Sequence, residues 1–366
     1  MELAEIFRQY GPAYREKFGD RMPVRHVQVM TAIEACRTAA LGGHVFRCEE
    51  CEQQLYSYHS CQNRHCPKCQ NGAAQAWLAR QSELLLPVPY FMVTFTLPEG
   101  LRAVARSHQK LIYNLLFQTS AAALQELAAD PRFVGGQIGM VGVLQTWTRD
   151  LLYHPHVHYL VPGGGLSGDG QSWRRARKAF LVHVKALSRL FRGKFRAALR
   201  QTDLGEPVPA QVWRQAWVVH CQPVGTGEAA LKYLAPYIFR VAISHRRLVK
   251  LENGQVTFRY RERDSRRWQS STLPAEEFIR RFLQHVLPKG FQKVRYYGLF
   301  SASQRPRLAQ ARQLLGRPAA PETTQPAEIS PTPAAAPPEP LVLRCPTCGQ
   351  PMRLSQTLRP QHCRSP

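Results

Sequence analysis

The stretch MVGVLQTWTRDLLYHPHVHYLVPGGG, residues 140–165, decides how the chain is read. Met140 to Thr148 and His156 to Pro162 are two runs with strand-like alternation. The Arg149 to Pro155 connection joins them into a predicted β-hairpin, closed by a turn at Gly163–Gly165. His156 and His158 stand two apart on the second strand, so both imidazoles emerge on one face and can share one ion. Gln145 lies on the strand expected to pair with it and offers a carbonyl oxygen as a third ligand. That set leaves coordination positions for a phosphate oxygen and water. Taken alone the pattern is weak, because alternating histidines are more often solvated surface or satisfied core.

Working outward, Tyr90 to Thr96 (YFMVTFT) has the aromatic and β-branched content of a strand and stops at Pro98, and Leu101 to Leu127 reads as a helix. Leu187, Leu190, Phe191, Phe195, Ala198 and Leu199 recur at helical spacing with Arg189, Arg192, Lys194 and Arg196 on the other side. Trp213 to Gln222 resembles a further strand and Glu228 to Val241 a further helix. The order strand, helix, strand, strand, helix, strand, helix predicts an α+β fold: an antiparallel sheet with helices on one face. The expected divisions are 1–85, a cysteine-rich module with an amphipathic helical lead-in through Val27, Met30, Ile33 and Ala40; 86–245, the core; 246–316, a basic extension; 317–340, a Pro/Ala-rich linker; and 341–366, a terminal CxxC module.

The chain has 366 residues, of which 44% are hydrophobic, enough for a substantial core and too many for disorder throughout. Its 49 Lys and Arg against 25 Asp and Glu leave a net charge of +24, which favours a polyanion as partner. Nucleic acid fits better than membrane, because nothing reads as a lipid anchor and the most apolar stretch, Leu84 to Leu97, is cut by Pro87 and Pro89. Residues 1–20 carry no signal-peptide pattern, so a cytoplasmic protein is expected. A small-molecule substrate is not.

Ten cysteines in a reducing compartment point to metal rather than disulfides. Cys48-Glu-Glu-Cys51 and Cys66-Pro-Lys-Cys69 are two knuckles able to complete one tetrahedral structural Zn²⁺. Cys36, His44, His59, Cys61 and His65 crowd the same stretch and could hold a second zinc or exchange with one ligand. Near the other end Cys345-Pro-Thr-Cys348 supplies a further knuckle, with His362 and Cys363 as later candidates to complete it. Tyr233 and Tyr237, in YLAPY, are four apart and would share a helix face, either as a core aromatic stripe or as paired nucleophiles. Pro236 between them would kink that helix. Lys289, Lys293 and Arg295 form a basic cluster that joins Arg189, Arg192 and Lys194 as DNA-binding candidates. Trp147, Trp173 and Trp268 are candidates for base stacking.

With SCQNRHCPKCQ (60–70), LQTW (144–147), HPHVHYLVPGGG (154–165), YLAPYIFRVAISHRRL (233–248) and RRFLQHVLPKGFQKVRYYG (280–298), the chain resembles the rolling-circle insertion-sequence transposases. These belong to the HUH endonuclease superfamily, two-tyrosine type. The likeness spans about residues 30 to 300, and CPTCGQPMRL (345–354) resembles a tail of the same family. It implies an HUH-type sheet, His156 and His158 as holders of a catalytic Mg²⁺ or Mn²⁺, and Tyr233 and Tyr237 as nucleophiles. Gln145 as third ligand rests on hairpin geometry and the general HUH pattern. The implied activity is nicking and rejoining of single-stranded or hairpin element ends through a 5′-phosphotyrosine. A plasmid replication initiator or relaxase using the same chemistry, and a zinc-dependent DNA-binding regulator that cuts nothing, are the rival readings.

Overall fold

The computed structural model describes residues 1–69, 77, 81–205, 208–229, 231–232, 242–262, 265, 267–316 and 343–361. The chain divides into two compact units: Glu2–Cys69 together with Pro321–Pro366, and Gln70–Ala320 with Met1.

The first unit begins with α1 (Leu3–Phe18) and α2 (Val24–Ala35), which bury Leu3, Ile6 and Phe7 from one helix and Val29, Met30 and Ile33 from the other. Strands β1 (Gly43–Cys48) and β2 (Gln54–Tyr58) follow as an antiparallel pair. The tail strand β13 (Met352–Leu358) lies on the free edge of β1, giving the sheet order β13-β1-β2. Residues 341–366 were expected to form a module of their own. Met352–Leu358 instead completes the N-terminal sheet, because β1 has an open edge whose backbone groups need partners. The 317–340 linker expected between them lies outside the described residues.

The second unit is built on a five-stranded sheet of order β12-β4-β5-β3-β8, with every neighbouring pair antiparallel. Its strands are β3 (Pro89–Thr96), β4 (Gly139–Trp147), β5 (Tyr153–Pro162), β8 (Val219–Thr226) and β12 (Val294–Gly298). Beside it lies the short ribbon of β6 (Gly164–Leu166) and β7 (Trp173–Arg175). The alternation of β3, β4 and β5 gives the sheet two unlike faces. On one, Val93, Phe95, Leu144, Val157, Tyr159 and Val161 pack with buried residues of α4 (Gln109–Ala129) and α5 (Val184–Arg200). A short helix, α3 (Arg102–Ser107), leads into α4. Gly142 admits this packing, since a Cβ there would lie 2.5 Å from the Tyr159 ring.

The other face is split along its length. At one end Tyr90, Met92, Val141, Val143 and Leu160 pack with Leu231, Leu299, Phe300 and, from α8 (Arg305–Leu314), Leu308 and Ala311. At the other end the same face carries Thr94, Thr96, Gln145, His156 and His158. The fold is therefore α+β with an antiparallel central sheet, as its sequence order required.

Two parts differ from expectation. Trp213 to Gln222 is not one strand: Gln211–Arg214 is a short helix, α6, and β8 starts at Val219. Trp213 and Trp217 stack on one another at 5.6 Å, and Trp217 packs edge-on to Phe191 and Phe195, so their aromatic bulk serves the core rather than a pleat. The basic stretch after residue 246 holds a second sheet, β9 (Leu248–Glu252), β10 (Gln255–Arg261) and β11 (Trp268–Pro274), in the order β11-β10-β9. It buries Val256 and Phe258, with the Phe258 ring 6.0 Å from Phe278 of α7 (Ala275–Leu283).

Candidate catalytic and metal centres

The polar end of the central sheet gathers its side chains by register. Gln145 of β4 faces His156 of β5, and His156 faces Thr96 of β3. One step along, His158 faces Thr94, which in turn faces His220 of β8. Residues opposite one another across antiparallel strands share a face, so these groups form a polar patch two rows deep. The His156 and His158 rings lie 4.8 Å apart, and His154 continues the row 5.2 Å from His156.

Each imidazole is oriented by a neighbour. His156 Nδ1–H donates to the His154 carbonyl at 2.6 Å, and His158 Nδ1 pairs with Thr94 Oγ1 at 2.9 Å. Nε2 is then the nitrogen that each ring can turn to a cation, the arrangement found where outer hydrogen bonds fix a metal-binding tautomer. Burial keeps both rings neutral, the ligating form. Desolvation, followed by the neighbouring His158, holds His156 well below the usual histidine range, and desolvation lowers His158 to about 4.

Gln145 is 8% exposed; its amide Nε2 donates to the Trp147 carbonyl at 3.0 Å. The other end of the amide, Oε1, is buried and has no hydrogen-bond partner among the described residues. A buried acceptor left unmatched costs about 1–3 kcal/mol, and a cation would satisfy it. Two neutral imidazoles and one amide oxygen are thus donors that could hold a divalent cation. Arg102 of α3 donates through Nη2 to His154 Nδ1 at 2.9 Å, with the Glu99 carboxylate 3.6 Å from its Nη1. Tyr233, Pro236 and Tyr237 lie outside the described residues. The chain reaches them through helical residues 227–229 and 231–232, and Leu231 is buried in the cluster on the same sheet face as the histidines.

The cysteines assemble differently from the expected pairing of Cys48 and Cys51 with Cys66 and Cys69. One quartet is Cys36, Cys61, Cys66 and Cys69; the other is Cys48, Cys51, Cys345 and Cys348, each with its sulfurs within 4.8 Å of one another. Sulfur separations of 3.5 Å (Cys36–Cys69), 3.6 Å (Cys61–Cys69), 3.4 Å (Cys48–Cys348) and 3.5 Å (Cys51–Cys345) approach the edge of about 3.8 Å expected for a tetrahedron with 2.3 Å Zn–S bonds. Four thiols leave no open position, so both quartets fit structural zinc. In the first, the hydrogen bond from Cys66 holds Cys61 down to about 5, which favours the thiolate a metal requires. In the second, the backbone of Cys348 lowers Cys345 to about 6.

Knuckle spacing alone did not reveal that Cys66 and Cys69 draw on Cys36 and Cys61, two of the candidates for a second site. His44, His59 and His65 belong to neither quartet; His44 and His59 instead pack ring to ring at 5.1 Å. His362 and Cys363 lie outside the described residues, and Cys345 and Cys348 are completed by the N-terminal knuckle.

Several basic candidates are engaged within the protein. Arg192 donates to the Gln215 carbonyl at 2.7 Å, and Lys194 pairs with Glu126 at 2.6 Å. Arg295, on β12, donates to Asn114 and stacks over Phe117 at 4.5 Å, while Lys293 sits 4.9 Å from the Trp147 ring centre. Arg189 and Lys289 are exposed. Trp147 and Trp173 are half-buried, whereas Trp268 is 61% exposed, with the Arg259 guanidinium 5.1 Å from its ring. The β9–β11 sheet therefore presents an outward face of Lys250, Arg259, Arg261 and Trp268, which the sequence had signalled only as a basic extension. Among the described residues no helix is long and apolar enough to cross a membrane.

The chain matches the family model described as "Putative transposase" over residues 139–307 and the one described as "Transposase zinc-binding domain" over residues 6–97. It is 44% identical over 350 residues to a Sinorhizobium fredii protein described as a "Putative transposase", covering 89% of this chain and 88% of that protein. It is 30% identical over 296 residues to the transposase for insertion sequence element IS801 of Pseudomonas savastanoi pv. phaseolicola, covering 75% of this chain and 70% of that one. No solved structure matches it.

Proposed function

Since this chain belongs to the IS91/IS801 family of insertion-sequence transposases, we propose that it nicks and rejoins single-stranded element ends by metal-dependent tyrosine transesterification. The observation that carries this reading is the His156, His158 and Gln145 cluster, with its unmatched amide oxygen at the polar end of the central sheet. His156, His158 and Gln145 would hold a Mn²⁺ or Mg²⁺, which supplies Lewis-acid neutralisation of the phosphate charge when bound. The phenol oxygen of Tyr233 or Tyr237 attacks phosphorus in line. Its O–P bond forms as the P–O3′ bond breaks, the phenolic proton leaves to a base or solvent, and the departing 3′ oxygen takes up a proton. The products are a 5′-phosphotyrosine and a free 3′-OH. The ester conserves the bond energy, so a later 3′-OH can displace the tyrosine and reseal a strand. Two tyrosines allow one end to be held while another is cut.

Leu231, buried on the face that carries the histidines, supports delivery of Tyr233 to that side of the sheet. Arg102 stands where it can draw a phosphate toward the pair. The Trp268 face supports single-stranded DNA as partner, because exposed bases stack on an aromatic ring while neighbouring guanidinium groups neutralise the backbone.

The test is nicking of labelled single-stranded element ends in Mn²⁺ by the wild-type chain and by a His156→Ala, His158→Ala variant. Cutting lost in the variant but with DNA still bound supports the assignment. Equal cutting by both, or binding without any cutting by the wild type, sinks it, and the second result favours a regulator.

A further inference from the structure

We propose that Cys48, Cys51, Cys345 and Cys348 form a second zinc site acting as a clasp, one half from each end of the sequence, that holds the tail strand β13 against β1. The first quartet is complete within residues 36–69, so the Cys48–Cys51 knuckle is left with two sulfurs and an unfilled tetrahedron. The missing pair arrives from 294 and 300 residues away along the chain. The zinc-binding family match ends at residue 97, well short of them.

The surrounding chain is shaped for the tail. Gly42 adopts φ +70, and a Cβ there would fall 2.8 Å from the Pro360 nitrogen and collide with the Leu358 carbonyl. Only glycine combines that conformation with so close an approach. Ser355 Oγ donates to the Val45 carbonyl at 3.0 Å, and the strand register runs from Gly43 opposite Leu358 to Cys48 opposite Met352.

Apolar burial offers little to hold this strand. Its cluster comprises Cys48, Cys345 and Met352, with Phe46 and Leu55 partly covered. A three-stranded sheet with so small a core needs a staple, and two of the three clustered side chains are themselves ligands. Binding exchanges thiol protons for Zn²⁺, so the metal's affinity becomes strand-docking affinity. Cys51 and Cys348 are exposed, whereas no sulfur of the first quartet belongs to a fully exposed residue. The clasp ion is therefore the one a chelator removes first.

The experiment uses the full chain, with zinc counted by native mass spectrometry and strand protection read by hydrogen exchange. The wild type should carry two zinc ions. A Cys345→Ser, Cys348→Ser variant should carry one and lose protection in peptides covering 352–358, while 89–96 and 153–162 keep theirs. Two ions in the variant, or unchanged protection of 352–358, would overturn the clasp. Should the variant misfold, stepwise chelation of the wild type decides: release of the first ion must coincide with exposure of 352–358, and a first release that leaves β13 protected refutes the proposal.

Discussion

Replacing Thr94 by Val probes the metal reading without touching a ligand. The hydroxyl pairs with His158 Nδ1 at 2.9 Å, and valine keeps the branched shape while removing that partner. The ring then loses the hydrogen bond that fixes its Nδ1, and its Nε2 is held less strictly in place. Losing such an outer hydrogen bond costs roughly tenfold to a hundredfold in metal affinity, about 1.4 to 2.8 kcal/mol. The assay is nicking rate against Mn²⁺ concentration. The half-saturating Mn²⁺ should rise by that factor, and the rate at saturation should return close to wild type. An unchanged half-saturation point would show that Thr94 does not orient a ligand. A rate loss that no Mn²⁺ concentration restores would show that the hydroxyl acts elsewhere.

Trp268→Ala should weaken binding of single-stranded DNA by about 1–3 kcal/mol, roughly 5- to 150-fold, with thermal stability unchanged; fluorescence anisotropy reads it, and wild-type affinity would remove the stacking role. Phe191→Ala empties a fully buried site between Phe95, Phe195 and Trp217 and should cost about 3–5 kcal/mol in denaturant unfolding. His285 is buried between Thr146 and Leu151, and desolvation lowers it to about 4. Below pH 6.5 the unfolded chain takes up a proton there that the folded chain refuses, so stability should fall as pH drops from 6.5 toward 4. This residue contributes up to about 1.4 kcal/mol per pH unit, and His285→Phe should lower the slope by that share in urea melts run across that range, leaving what the buried His156 and His158 contribute.

The central sheet was legible because β3, β4 and β5 alternate residues between a helix-covered face and a mixed one. The same alternation put His156 and His158 side by side, and the hairpin put Gln145 opposite. The cysteine pairing was not legible. Knuckle spacing describes only two ligands at a time, and which knuckles meet depends on a tail strand that returns across nearly the whole sequence. Val294–Gly298 was read for its charge rather than as an edge strand, although Gly298, at φ +57 against the Ile138 carbonyl, marks its end. Charge likewise says nothing of partners: Arg192, Lys194 and Arg295 are basic in sequence but tied to a carbonyl, a carboxylate and aromatic rings in the fold.

The most direct measurement is to incubate the protein with 5′- and 3′-labelled single-stranded element ends and Mn²⁺, resolve the products under denaturing conditions, and map any DNA-linked peptide by mass spectrometry. The account predicts a 5′-linked adduct on Tyr233 or Tyr237, abolished by EDTA and by the Tyr233→Phe, Tyr237→Phe double variant. An adduct that persists in that variant, or cutting that leaves no protein on the DNA, would contradict it.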